Sequence, residues 1–157
     1  MSNKVLGKNE ILFIYTAIKN GTGATVAANY FPVGCLTSNG LNFTTGMNDS
    51  QKTKCNLNPD PMVDNVTYEL PFEAVAYENN GTNAMYKDLR ALMYAAAETG
   101  AFIYWKIETT MSDGTKETEF GKGYLTSLSK SAPVEGEVTF SGSIRGSGKV
   151  SATDLKV

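Results

Sequence analysis

Two pairs of glutamates are the residues of this chain best spaced to do chemistry. Glu69 and Glu73 lie four positions apart and Glu117 and Glu119 two, so on extended chain the members of each pair share a face. Paired carboxylates act as acid and base when a concave pocket raises the pKa of one of them. Both pairs sit instead in alternating segments that read as strands with one solvated face, and no pocket is implied. The chain of 157 residues contains no histidine, which removes the commonest general base and leaves each serine and cysteine without its usual activating partner. Cys35 and Cys55 cannot complete an ordinary zinc site and read as small apolar residues rather than a disulfide. Gly121-Lys122-Gly123 and the glycines of 142–148 lack the Gly-Lys-Ser/Thr ending and strand-to-helix setting of a phosphate loop. The expectation is a protein with no enzymatic activity, no metal and no cofactor.

The totals point to a single β-rich domain. Hydrophobic residues make up 41% and charged residues 19%, alongside many Gly, Ser, Thr and Asn, a balance that favours short strands and turns in a single domain. Net charge is −2 and the basic residues are scattered, so the footprint of a nucleic-acid-gripping protein is missing. No apolar run of about 18 residues is present, and Met1-Ser2-Asn3-Lys4 opens no signal peptide, so a soluble chain made in the cytoplasm, without membrane contact, is expected.

These glutamates must be positioned by strands. A first strand spans 11–18. A second spans 30–45, with Gly34 and Gly40 marking bulges or close backbone approach. A short polar strand surrounds 52–55. The segment 56–64, with Pro59 and Pro61, cannot pair as a central strand and reads as a loop. The cleanest alternation follows: Tyr68, Leu70, Phe72, Ala74 and Ala76 on one face, Thr67, Glu69, Glu73 and Tyr77 on the other. Asn83 is the expected cap of a helix that turns Met85, Leu89, Leu92, Met93 and Ala96 to the core and Lys87, Asp88 and Arg90 to water, and Gly100 ends it. Residues 102–110 form a strand with large apolar groups on both faces. Ser112-Asp113-Gly114 turns it into a partner at 115–119. The closing hairpin runs from Gly121 to Pro133 and from Val138 to Gly148, with Val138, Phe140, Gly142, Ile144 and Gly146 facing one way and Thr139, Ser141, Ser143 and Arg145 the other.

Several of these pieces in order carry a family resemblance. They are Gly7 ahead of the apolar strand 11–14, Val33-Gly34-Cys35 opening a Ser/Thr/Asn-rich strand, Tyr86-Lys87-Asp88-Leu89-Arg90-Ala91-Leu92 on the helix, and the closing hairpin. Over 7–148 the chain resembles the major tail tube proteins of tailed bacteriophages. The resemblance implies a mainly β fold, an antiparallel β-sandwich or barrel-like tail tube domain flanked by one α-helix. Its N-terminal arm would be 1–8, its assembly loop about 46–64 and its C-terminal tail 149–157. It also implies hexameric rings stacked into a hollow tube that conducts viral DNA, and a virion tail location. Partners would be the chain itself, terminator, tape-measure and distal tail proteins, and duplex DNA that passes without specific binding.

If six copies each lend about four strands to a shared barrel, the lumen is on the order of 40 Å across. Glu69, Glu73, Glu117 and Glu119 are then expected to face that lumen, where like charge keeps DNA from adsorbing. Met47, Pro59, Pro61, Met62 and Val63, apolar residues in a Pro-rich segment, are expected at subunit contacts. Two alternatives stand beside this reading. One is an inner-tube subunit of a contractile tail or type VI-like secretion system. The other is a carbohydrate- or surface-binding β-sandwich using Tyr77, Tyr86, Tyr94 and Tyr104.

Overall fold

The structure is a computed structural model and describes residues 6–19, 25–49, 61–76 and 83–155. After a 3-10 turn at Gly7–Asn9, the alternating segments form β1 (Glu10–Lys19), β2 (Thr25–Pro32), β3 (Cys35–Asn39), β4 (Asn42–Asp49) and β5 (Pro61–Val75). The helix α1 (Tyr86–Thr99) precedes β6 (Ile103–Thr110), β7 (Lys116–Ser131) and β8 (Thr139–Ser151). The strands make one antiparallel sheet in the order β2-β1-β6-β7-β8-β5-β3, with β4 continuing the outer edge of β5 beyond β3. The expected mainly β fold with one helix is what the chain adopts.

The sheet curls because its longest strand serves two halves. β7 pairs with β6 through Lys116 to Gly123 and with β8 through Phe120 to Ser131. Leu12, Ile14, Trp105 and Ile107 from one half therefore meet Leu70, Phe72, Phe140 and Ile144 from the other, and all are buried. A bulge lets β7 serve both halves: Leu125 pairs with Ile144 but Ser127 with Ser143, which leaves Thr126 as the extra residue. Inward parity changes across it, from Gly121, Gly123 and Leu125 to Leu128, which packs on the core.

Tyr68 sits where the halves meet. Its ring lies edge-on to Trp105 with centroids 5.7 Å apart, and its hydroxyl donates to the Lys122 carbonyl at 3.0 Å. Glycine is required around it: a Cβ on Gly146 would overlap the Tyr68 ring, and one on Gly121 would overlap Trp105. The glycines that fail as a phosphate loop are thus the seat of the two largest buried rings.

α1 closes one side of the curl, lying against β7 and β1. Met85 and Leu89 are buried, and Leu92 and Met93 pack partly buried against the same cluster. Gly100 ends the helix in the left-handed conformation, φ 70°. Two expectations at the start of the helix are corrected. The N-cap is Met85, not Asn83, whose side-chain amide donates instead to the Gly34 carbonyl at 2.6 Å. Asp88 is buried rather than solvated, because its carboxylate accepts the Met85 N–H at 3.0 Å, the backward half of a capping box.

The expected strand 30–45 is three strands. Val33 and Gly34 leave the sheet to bond with Leu12 and Ala84, and Gly34, at φ 44°, lies so close to Phe140 that a Cβ would stand 2.8 Å from that ring. The second break falls at Gly40, whose N–H bonds Pro71. Pro61 to Asp64, expected in a loop, open β5, where pairing on a single side tolerates proline at the first position. Cys35 is exposed on β3, not a buried apolar residue. The strand expected at 52–55 lies outside the described residues.

Replacing Gly146 by Ala is expected to lower unfolding free energy by about 1–3 kcal/mol through overpacking against Tyr68. Gly7→Ala, where the added methyl meets nothing, is expected to be near neutral. Leu89→Ala should cost about 2–5 kcal/mol by leaving a cavity. The half-buried Leu92 should cost less, and urea denaturation of the four variants measures the order.

Candidate functional site

The first half of β5 leaves the body of the sheet. β8 pairs with β5 only from Glu69 to Val75, so Pro61 to Tyr68 are hydrogen-bonded to β4 alone and project as a two-stranded arm. Cross-strand partners share a face, and the register sets Phe43 opposite Tyr68, Thr45 opposite Val66 and Met47 opposite Val63. An irregularity between Gly46 and Met47 skips Asp64 and so keeps Val63 on the same face as Val66. The result is an apolar stripe continuous with the core through the Phe43–Tyr68 ring contact at 5.7 Å. Yet Phe43 (55%), Met47 (55%), Val63 (61%) and Val66 (56%) remain exposed. A lone two-stranded hairpin is marginal in water, so such a stripe calls for a cover. Of the residues expected at subunit contacts, Met47 and Val63 are on this stripe and Pro61 and Met62 pair through their backbone with Asp49 and Asn48. Pro59 lies outside the described residues.

The outer face of β5, β8 and β7, turned away from the core, is polar. Its rows read Glu69–Arg145–Tyr124, Pro71–Ser143–Ser127 and Glu73–Ser141–Ser129 across the three strands. Ser38 of β3 extends the last row beyond Glu73. Glu69 and Glu73 are exposed here. Glu117 and Glu119 are also exposed, but on the opposite face: they pair with Thr109 and the buried Ile107, in line with Gly121 and Gly123. A wall formed by one face therefore holds one glutamate pair, not both.

Over β1, β2 and β6 the same outer face is aromatic, which sequence reading missed. The Lys106 ammonium lies 4.7 Å from the Phe13 ring and 5.2 Å from Tyr30, and Lys122 lies 4.7 Å from Phe102. Tyr30 donates to the Asp154 carboxylate at 2.6 Å, and burial first and then that carboxylate push its pKa up. The signal was present in the alternate residues Phe13 and Tyr15 of the first strand, opposite Leu12 and Ile14. Glu108 bridges Lys116 at 2.8 Å and Lys106 at 3.5 Å. The hydrogen bond from Lys116 is the main cause that holds its carboxyl below the ordinary range, against the opposing effect of burial.

Neither carboxylate pair is enclosed, and among the described residues no cluster of three metal-ligating side chains forms. The tyrosines of the carbohydrate reading are dispersed: Tyr86 and Tyr94 lie two helical turns apart on α1, Tyr104 is on β6, and Tyr77 is outside the described residues. No described helix is long and apolar enough to cross a membrane.

A family model described as phage tail tube protein matches residues 13–152. No curated protein sequence matches the chain. Among solved structures, the SPP1 tail tube is similar at 17% identity and TM-score 0.56, covering 92% of this chain and 77% of that one. The tail of an empty GTA particle, refined with C6 symmetry, is similar at 13% identity and TM-score 0.58, covering 96% and 99%. A chain of the anti-feeding prophage (AFP) baseplate is similar at 9% identity and TM-score 0.60, covering 100% of both. At these identities the structural likeness speaks for the fold.

The Glu108 bridge gives a pH test. Its folded pKa is depressed, so its stabilisation is present above the unfolded carboxylate value, about 4.3, and is lost as pH falls through the lower folded value. Glu108→Gln should therefore cost from a few tenths to about 1 kcal/mol at pH 7 and nothing once the pH is below the folded pKa. Thermal melts of both proteins between pH 7 and pH 2 should converge at the acid end.

Proposed function

The chain belongs to the phage tail tube protein family, and we propose that its copies close into six-membered rings that stack as a hollow tube for viral DNA. The observation that carries this reading is the arm. An apolar stripe runs out of the core along Phe43, Val66, Met47 and Val63 and stays exposed among the described residues, and a second copy of the chain supplies the cover. With the arm of one copy received by a different patch of the next, the contact is head-to-tail. Such contacts propagate into rings and filaments instead of stopping at a dimer. The six-fold symmetry of the GTA tail, whose chain shares this fold, supports the count.

In this arrangement the serine-rich outer face of β5, β7 and β8 lines the channel, with Glu69 and Glu73 on it. Hydroxyls and carboxylates let a phosphate backbone pass without adsorbing. With a net charge of −2 on each chain, a ring carries six times that, about −12, which also repels the duplex. The outer face of β1, β2 and β6 suits that purpose less, since its half-buried rings and lysines offer stacking and charge to nucleic acid. The role is structural, not catalytic. The tube sits in the virion tail, is assembled in the host cytoplasm, and meets terminator, tape-measure and distal tail proteins at its ends. The likeness to the AFP baseplate chain also keeps an inner tube of a contractile machine as a second reading, distinguished by whether a sheath surrounds the tube.

Met47→Ser combined with Val63→Ser tests the arm. These exposed side chains support little within one subunit, so the melting temperature should change by less than the equivalent of about 0.5 kcal/mol. Electron microscopy should nevertheless show wild-type protein forming tubes and the double variant remaining as subunits. Tubes of normal length from the double variant would remove the arm from the assembly contact.

A further inference from the structure

Arg145 lies on the serine-rich outer face, in the middle of its first row between Tyr124 and Glu69, with Lys122 in the next row of β7. Lys122 is engaged by the Phe102 ring, and Arg145 is not engaged. It is exposed, and among the described residues its guanidinium has neither an ion pair nor a side-chain hydrogen bond. Structural arginines on a sheet surface ordinarily close on a carboxylate, as Lys116 and Lys106 do on Glu108. Glu69 is the direct cross-strand neighbour, close enough to lower the local potential, but it does not hold the side chain in an ion pair. A free guanidinium with an adjacent carboxylate is an attenuated anion site: it can meet a phosphate oxygen, and the carboxylate weakens what it meets.

We propose that Arg145 is a transient contact for the DNA phosphate backbone on the channel wall, and that Glu69 sets its strength. This rests on the reading of that face as the wall. In a six-membered ring the wall carries six such sites, repeated in each ring, so a moving duplex always has phosphates within reach and is steered along the axis without being gripped. The neighbouring residues fit the task. Ser127, Ser129, Ser141 and Ser143 add hydroxyls that hydrogen-bond phosphates and water alike and impose no net charge. Glu69 and Glu73 balance Arg145 and Lys122 on this face (two carboxylates, two cations), so the wall neither holds nor strongly repels the duplex and Arg145, the cation no ring engages, makes the contact.

The test is DNA ejection from particles whose tails are built from Glu69→Gln, Arg145→Gln, the double variant, or Glu69→Lys with Glu73→Lys, measured against salt concentration. Glu69→Gln should slow ejection severalfold at low salt and recover as salt screens phosphate contacts. Arg145→Gln and the double variant should match wild type or exceed it and lose the salt dependence. If the double variant stays as slow as Glu69→Gln, or if Glu69→Gln has no effect while the lysine pair slows ejection, the role of Arg145 is overturned and the wall reading stands. If the lysine pair also leaves ejection unchanged in particles shown to contain the variant tube, both fall.

Discussion

The ring of Tyr68 against Trp105 is the contact through which the rest of the structure is held. Tyr68 belongs to β5, Trp105 to β6, and these strands lie in different halves of the curled sheet, so the edge-on pair ties the halves together across the core. The space for it comes from Gly121 and Gly146, where any side chain would collide with a ring. The hydroxyl is satisfied by the Lys122 carbonyl, which removes the cost of burying it. Tyr68 also touches Phe43 at the root of the arm. Core packing and arm placement therefore depend on the same side chain, and a chain that closes its core has already aimed the arm.

The two faces of the sheet divide the work. The inner face carries the residues whose burial holds the core together, and along the arm that same face continues exposed among the described residues. On the proposed reading this asymmetry suits a polymerising subunit, with a packed core and a contiguous apolar remnant for another copy to cover. The outer face divides again, into rings and lysines over β1, β2, β6 and the adjoining half of β7 and hydroxyls and carboxylates over β5, β8 and the rest of β7. Lys106 and Lys122 are occupied by rings, and Lys106 also by Glu108. Arg145 stands apart from this pattern because it faces the hydroxyl-rich side with its charge uncommitted.

Where a segment is half-buried along its whole length, alternation exposed it: β1, the inner half of β5, and β8 read correctly, as did the turn at Gly114 and the left-handed end of α1 at Gly100. Local patterns failed where a distant residue decides. The break at Gly34 depends on Phe140, more than a hundred positions away. The burial of Asp88 was missed for a local reason, because the cap was placed at Asn83 and not at Met85, three residues before the carboxylate that accepts its N–H. The bulge at Thr126 lies in a run of Thr and Ser whose parity carries no apolar signal. The opposite placement of the two glutamate pairs could not be read at all, because it depends on the register of β5 with β8 and of β8 with β7. Pro61 was read as a loop marker, although a strand with a free side accepts it.

Helical reconstruction of tubes grown from the purified chain is the most direct measurement. On this account the map shows six subunits per ring around an open channel, with Glu69, Ser141, Ser143 and Arg145 facing the channel and Phe43, Met47, Val63 and Val66 covered by a neighbouring copy. A channel lined by Phe13, Tyr30 and Lys106, or an arm left bare in the assembled tube, would contradict it.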